Sequence, residues 1–350
     1  MKQGRTITEL AQEIERQSKT KKDYLANGKA MYMSFDTSNK PVMSLGGELQ
    51  KSFRIKPLAH RQIGQKLNIP AKYYDKMLAE DQGLLSANVN TWLLKTDEKR
   101  LVRTLDGKMR ALLSKGYRPL DNHDLAEAVL PLFDGLGLNM LSCEVTEDRF
   151  YLKATTPRMY AEVEKDDIVQ SGICISNSEV GLGRLSVEPL VYRLVCLNGM
   201  IINDYGIRKN HVGRRSVDSR DVSEFYRDET KQQDDKAFWM KVQDVVQATL
   251  DEVKFATIVN TLKDSTKRQI TGDVLPICEK VAGKYNMSEN EQGSVLKHLI
   301  DGGSLTQYAL GNAITRMSHS VESYDRATDY ERAGSDIIQL KPAEWRVLNG

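Results

Sequence analysis

The residues in this chain with the most chemistry to offer are cations. In Tyr192 to Ser216, "YRLVCLNGMIINDYGIRKNHVGRRS", an apolar run gives way to Arg208, Lys209, His211, Arg214 and Arg215. A second group runs along "KTDEKRLVRTLDGKMRALLSKGYR", where Arg100, Arg103, Lys108 and Arg110 are interleaved with apolar residues and Lys115, Tyr117 and Arg118 follow. Guanidinium and ammonium groups neutralise phosphates, and an aromatic beside them offers a face on which an unstacked base can lie. That pairing suits single-stranded nucleic acid. Tyr117 and Tyr205 are the stacking candidates.

Catalytic spacing is missing from the same survey. The chain has no HExxH, GxxxxGK[ST] or GxSxG, and Gly181-Leu-Gly183 is not followed by the third glycine of a dinucleotide loop. Asp166-Asp167 reads as a solvated strand end, because adjacent carboxylates on a strand point to opposite faces and do not share an ion. His60, His123, His211, His298 and His319 are scattered. Cys143, Cys174, Cys196 and Cys278 stand far apart in apolar settings, which reads as free, buried thiols. The expectation is therefore no catalytic residue, no cofactor and no metal.

Net charge conceals a strong asymmetry. Residues 51–118 carry 15 Lys and Arg against 6 Asp and Glu, whereas residues 119–182 carry 4 against 12. Residues 183–220 return to 7 against 3. Two basic blocks flank an acidic one, and the two together read as walls of one groove.

Positioning these cations calls for an α+β fold. Residues 6–26 read as a polar helix, and "SFDTSNKPVMS" as two strands about Asn39-Lys40-Pro41. "AHRQIGQKLNIPAKYYDK" reads as two short helices packed on a sheet, with Lys72, Tyr73 and Lys76 placed to meet backbone phosphates rather than base edges. From Ala87 to Thr156 the pattern predicts strands in "SANVNTWLLKT", "RLVRTLDGKMRALLS", "LNMLSCEV" and "DRFYLKATT", with Asp106-Gly107 a hairpin turn. The segment "DNHDLAEAVLPLFDGLG" predicts a helix opened by Asp or Asn and closed by Gly135 or Gly137. The result is a curved antiparallel sheet with a packed helix, in β-β-β-α-β-β order, then a helical C-terminal region. "EPLVYRLVCL" reads as a short helix stopped at Asn198-Gly199. "DDKAFWMKVQDVVQATLDEVKFATIVNTL" reads as one long amphipathic helix, Ser288 and Glu291 as a capping box, and Ser304 to Arg332 as a last long helix. The division expected is 1–50, an N-terminal helix and short strands; 51–220, a basic α+β core; and 221–350, a helical region. With no signal peptide and no apolar run long enough for a bilayer, a cytoplasmic protein without membrane contact is expected.

"VRTLDGKMRALLSKGYRPLDN", "GICISNSEVGLGRLSVEPLVYRLVCLNGM" and "IRKNHVGRR" resemble the phage- and plasmid-borne family known only as "phage/plasmid-like protein", a domain of unknown function, from about Ser52 to Ser335. Leu197 departs from the Thr more common there. The resemblance implies a mobile-element setting, in a phage-infected or plasmid-bearing bacterial cell, and hands over no activity. The β-β-β-α order with a basic face is also similar in outline to phage single-strand annealing proteins of the RecT and Red-beta type.

The sequence thus points to a non-enzymatic protein that binds single-stranded DNA or RNA in phage recombination or replication, anneals strands and forms a homo-oligomer. Arg100, Arg103, Lys108, Arg110, Arg118, Arg208, Lys209, Arg214 and Arg215 are the expected phosphate contacts. Two alternatives remain: a modulator that binds a host or phage protein, and a metal-dependent nuclease.

Overall fold

A Thr6–Glu9 capping box starts the first helix, α1 (Ile7–Thr20), and buries Leu10 and Ile14 on its inner face. The computed structural model describes residues 1–117, 120–202 and 228–350. Strands β1 (Lys22–Asn27), β2 (Met31–Phe35), β3 (Pro41–Leu45) and β4 (Lys51–Ile55) come next, the second and third joined by a turn with Asn39 at φ 54°. Helices α2 (Pro57–Lys66) and α3 (Ala71–Glu80) flank a break where Asn68 takes φ 56°, as expected. Then α4 (Gln82–Leu94) occupies a segment expected to be a strand. Its inner residues Leu85, Val89 and Leu93 recur every fourth position, which buries a helical stripe, and Asp81 accepts from Leu84 N at 2.9 Å to cap it.

The hairpin of β5 (Lys99–Leu105) and β6 (Lys108–Ser114) forms as expected, with Asp106 at φ 52° and Gly107 at φ 69°. These strands complete a six-stranded sheet in the order β1-β5-β6-β4-β3-β2. Only the β4–β6 pairing is parallel. The sheet therefore joins strands from before and after residue 50. One face packs Met33, Met43, Val102 and Leu112 against Ile63, Tyr74, Leu85 and Val89 of α2, α3 and α4.

Helix α5 (Asn122–Leu136) is closed by Gly137 at φ 64°, the left-handed stop read from the sequence. Five antiparallel strands follow: β7 (Asn139–Val145), β8 (Phe150–Glu164), β9 (Asp167–Asn177), β10 (Ser186–Arg193) and β11 (Asn198–Ile201), in the order β11-β10-β9-β8-β7. Register shifts along β8 let this sheet curl into a half-barrel. Where a helix was expected to end at Gly199, the chain instead forms the β10–β11 hairpin, with Tyr192 opposite Gly199. Val187, Leu190 and Val191 favour this outcome because both faces of β10 are buried, so its apolar residues need no helical period. The turn over 194–197 places Leu197 at φ 55°, and Gly199 lies within β11.

Helices α1, α5 and α6 (Asp228–Thr249) cover one face of the half-barrel, where Leu10, Leu125, Val129, Val242 and Val246 meet Leu152, Ile173 and Ile175. The expected single long helix is broken: Asp251 accepts from Lys254 N at 2.9 Å and starts α7 (Glu252–Thr266), leaving Val253 75% exposed. Helices α8 (Val274–Lys284), α9 (Glu289–Asp301), α10 (Gln307–Arg316), α11 (Tyr324–Ile338) and α12 (Pro342–Asn349) build a separate helical core around Ile277, Leu299, Leu310, Ile314 and Trp345. The Ser288–Glu291 capping box is present. The last expected helix is two, because Ser323 caps α11 by accepting from Arg326 N at 3.2 Å. Helices α10 and α11 approach closely enough that a Cβ on Gly311 would stand 2.7 Å from Gly334 O. The α+β class with a helical C-terminal region stands as read from the sequence. Among the described residues no helix is long and apolar enough to cross a membrane.

Candidate functional site

Two of the hairpin cations go inward. Arg103 is 1% exposed and Arg110 7%. Arg103 keeps the alternation, but its face, with Leu101, Ala111 and Leu113, packs against Leu58 and Val180 instead of solvent; and because Arg103 faces Ala111 while Thr104 faces Met109, a bulge leaves Arg110 as the extra residue. Both arginines converge on Glu179, in the β9–β10 connection. Arg103 donates to Asp23 Oδ1 at 2.8 Å, to Asp121 Oδ1 at 2.9 Å and to Glu179 O at 2.8 Å, and Arg110 pairs with the Glu179 carboxylate. Lys21 completes the cluster with Asp121 at 2.9 Å and Glu179 at 3.2 Å. Burial alone would raise the Glu179 carboxyl, but Arg110 and Lys21 outweigh it and hold the group below its ordinary value. This is an internal ionic joint between the two sheets.

The remaining predicted residues divide. Arg100 is half-buried and pairs with Glu98, and Lys108 is exposed. Tyr117 is half-buried, its hydroxyl donating to Ser178 O at 3.0 Å, so it serves as a prop rather than an open stacking face. Arg118, Tyr205, Arg208, Lys209, Arg214 and Arg215 lie outside the described residues. Asp167, read as solvated, is 4% exposed; it accepts from Arg193 Nε at 2.6 Å and from the Tyr308 hydroxyl at 2.8 Å.

Arg193 and Tyr308, both held by Asp167, line a polar pocket of about 380 Å³. The β10–β11 hairpin supplies Arg193, Cys196 and Asn198. Helix α10 supplies Tyr308, Asn312 and Arg316, spaced four apart so that they share one face. His298 and Asp301 come from the end of α9, and Glu164 from the end of β8. Arg193 lies over the Tyr308 ring, 5.4 Å from its centroid, and reaches Cys196 Sγ at 3.5 Å. Asn198 bridges the hairpin to α10, donating to Asn312 O at 3.4 Å and to Thr315 Oγ1 at 3.3 Å.

Two unsatisfied groups define the chemistry of the pocket. Arg316 is exposed, has no carboxylate within ion-pair distance among the described residues, and makes one long contact of 3.5 Å to Cys196 O. Asn312 is buried with its amide held by Tyr308 O at 3.0 Å, and its Oδ1 has no partner. Among the described residues the lining therefore carries a cation without a carboxylate partner, and beneath it lies an acceptor closed off from solvent. Burial and the nearby Arg316 push the His298 ring below the ordinary histidine value.

The sequence reading passed over this pocket because its parts are distant in the chain and Arg193, Cys196 and Asn198 were assigned to a helix end. The available signal was the period-four polar stripe Tyr308, Asn312, Arg316 along one face of α10. A surface group, His123, Asp124 and Glu127, also brings ligand atoms within 4.8 Å of one another on α5. Both carboxylates of that group are exposed.

The family described as Domain of unknown function (DUF932) matches residues 111–341, a span that holds every residue of the pocket. No curated protein matches the chain, and no solved structure does.

Proposed function

We propose that this chain, which belongs to the DUF932 family of domains of unknown function, binds single-stranded nucleic acid without catalysis, in the phage or plasmid setting its sequence motifs imply. Strand annealing by a homo-oligomer is the role that fits such a setting. The observation that carries the reading is the exposed Arg316 guanidinium of α10, without a carboxylate partner among the described residues, on the same pocket lining as Arg193 of the hairpin whose sequence runs on into Arg208, Lys209, Arg214 and Arg215. A guanidinium without a carboxylate partner is matched in shape and charge to a phosphate. The contact is thereby centred on the β10–β11 hairpin and α10, and Arg103 and Arg110 leave the set.

The test is the anisotropy of a labelled single-stranded oligonucleotide across several salt concentrations. Wild type should bind more weakly as salt rises, and Arg316→Ala should flatten the slope of log affinity against log salt by about 0.7, the share of one phosphate contact. Absence of binding at low salt, or an unchanged slope in Arg316→Ala, overturns the proposal. One observation favours a second reading, in which the chain docks on a host or phage protein: Leu194, Val195 and Leu197 expose 38%, 63% and 54% of their surface at the hairpin tip. Under that reading Val195→Asp abolishes capture of the partner while Arg316→Ala is silent.

A further inference from the structure

The pocket is too small for a strand to run through it. Its volume of about 380 Å³ lies at the lower end of the roughly 300–1,000 Å³ typical of small-ligand sites, which is room for a single nucleotide. Its charges are also ordered. Arg193 spends Nε on Asp167 and another nitrogen on the Cys196 sulfur, so Arg316 is the cation left for an anion. Glu164 and Asp301 stand exposed on the same lining. A nucleotide within a strand carries phosphates on both sides, and the second would meet these carboxylates. A nucleotide at a strand end brings one phosphate and leaves the rest of the rim to groups that donate.

The acceptors supply the other half of the recognition. Asn312 Oδ1 is buried, has no partner, and cannot exchange roles with its own amide nitrogen, because that nitrogen is held by Tyr308 O. That oxygen has no surface open to the pocket, so the acceptors available to a ligand are the exposed Glu164 and Asp301 carboxylates, which share the lining with Arg316. A nucleotide with an amino-bearing base meets both demands: its phosphate accepts, and its exocyclic amine donates to carboxylate oxygen.

We infer that the pocket between the β10–β11 hairpin and α10 binds one nucleotide bearing a terminal phosphomonoester, with the phosphate on Arg316 and the base amine on the Glu164 and Asp301 carboxylates. This rests on the nucleic-acid reading for its context, and the same chemistry is offered by a free mononucleotide and by a 5′-phosphorylated strand end. A terminal monoester carries close to two charges at neutral pH against one for an internal diester, which strengthens the preference for an end.

Two arms test it on the full chain. In the first, a 5′-phosphorylated oligonucleotide is compared with its unphosphorylated twin. The phosphorylated strand should bind about tenfold tighter, the worth of one charge-assisted hydrogen bond, and the preference should vanish in Arg316→Ala. In the second, dCMP and deoxycytidine are tested for protection of Cys196 against iodoacetamide, read by peptide mass spectrometry. Cys143, Cys174 and Cys278 are buried and Cys196 is the half-buried thiol on the pocket wall, so its labelling reports occupancy. dCMP should slow alkylation, deoxycytidine should not, and Asp301→Ala should weaken the dCMP effect. Equal binding of the two strands with no protection by dCMP overturns the pocket assignment while leaving strand binding intact. Protection by dCMP with no binding of either strand supports the pocket and overturns the nucleic-acid reading. No effect in either arm overturns both.

Discussion

Lys153 Nζ donates to Glu331 Oε2 at 2.6 Å with both side chains fully buried, tying β8 of the half-barrel to α11. The ammonium also donates to Thr328 Oγ1 at 2.9 Å and lies 4.6 Å from the Tyr324 ring centroid. Removing two charges from water is costly, so such a pair contributes little net stability, yet breaking it leaves one charge buried alone. Lys153→Met should therefore lower the unfolding free energy by about 3–5 kcal/mol. Lys153→Met with Glu331→Leu should recover most of that, helped by the loss of Glu331 Oε1, a buried acceptor with no partner. Urea unfolding of the two single variants and the double variant decides it, and losses that simply add would refute the coupling.

The ionic joint at Glu179 separates folding from binding. Arg103→Ala leaves Asp23 and Asp121 short of a buried counter-charge and should destabilise by several kcal/mol, on the order of 3–5. Its salt slope on single-stranded DNA should equal that of wild type, since a residue 1% exposed meets no phosphate. Exposed Lys108→Ala should leave the melting temperature unchanged. A shifted salt slope in Arg103→Ala, with the fold intact by circular dichroism, would return the hairpin to the binding surface.

The hairpin tip carries a backbone cost at Leu197 rather than at Gly199. Leu197 sits at φ 55°, a left-handed conformation that Asn adopts more readily than Leu. Leu197→Asn should raise stability by about 0.5–1 kcal/mol. Gly199 is needed for space: a Cβ there would stand 3.0 Å from Met1 Sδ and 3.4 Å from Leu190 Cδ1. Gly199→Val should cost about 1–3 kcal/mol through overpacking. Thermal melts of the two variants test this, and equal melting temperatures would remove both assignments.

Local rules reached far along this chain and failed where tertiary contacts decide. Asp106-Gly107, Gly137 and Ser288–Glu291 were legible because turn and cap chemistry is written in two to four neighbouring residues. Helix α4 was misread because Val89 and Thr91 suggested a strand while the stripe Leu85, Val89, Leu93 is helical. The fate of Arg103 and Arg110 was illegible for a different reason. A bulge at Arg110, and Glu179 at 69 positions from Arg110 and 76 from Arg103, hold them inside, and neither is visible in the alternation of the hairpin itself. The pocket shares that difficulty, since Tyr308 on its lining is tied to Asp167 across 141 positions.

His60 sets the acid limit of the N-terminal sheet. Its Nδ1 shares a 2.8 Å hydrogen bond with the Tyr74 hydroxyl between α2 and α3, and burial pushes its pKa down from 6.5 to about 4. Between those values the unfolded chain binds a proton that the folded chain does not, so this contribution is complete above pH 6.5 and is lost as the pH falls toward 4. A shift of that size corresponds to about 3 kcal/mol across the window. The carboxylates of the ionic joint, Glu179 and Asp121, are held below their ordinary values and lose their contribution lower still, so the two processes occupy different pH ranges. His60→Gln keeps a hydrogen-bonding side chain and removes the titration. Its melting temperature should fall less than that of wild type between pH 7 and pH 4.5. Parallel decline of the two proteins over that interval would show that His60 is not the group that charges.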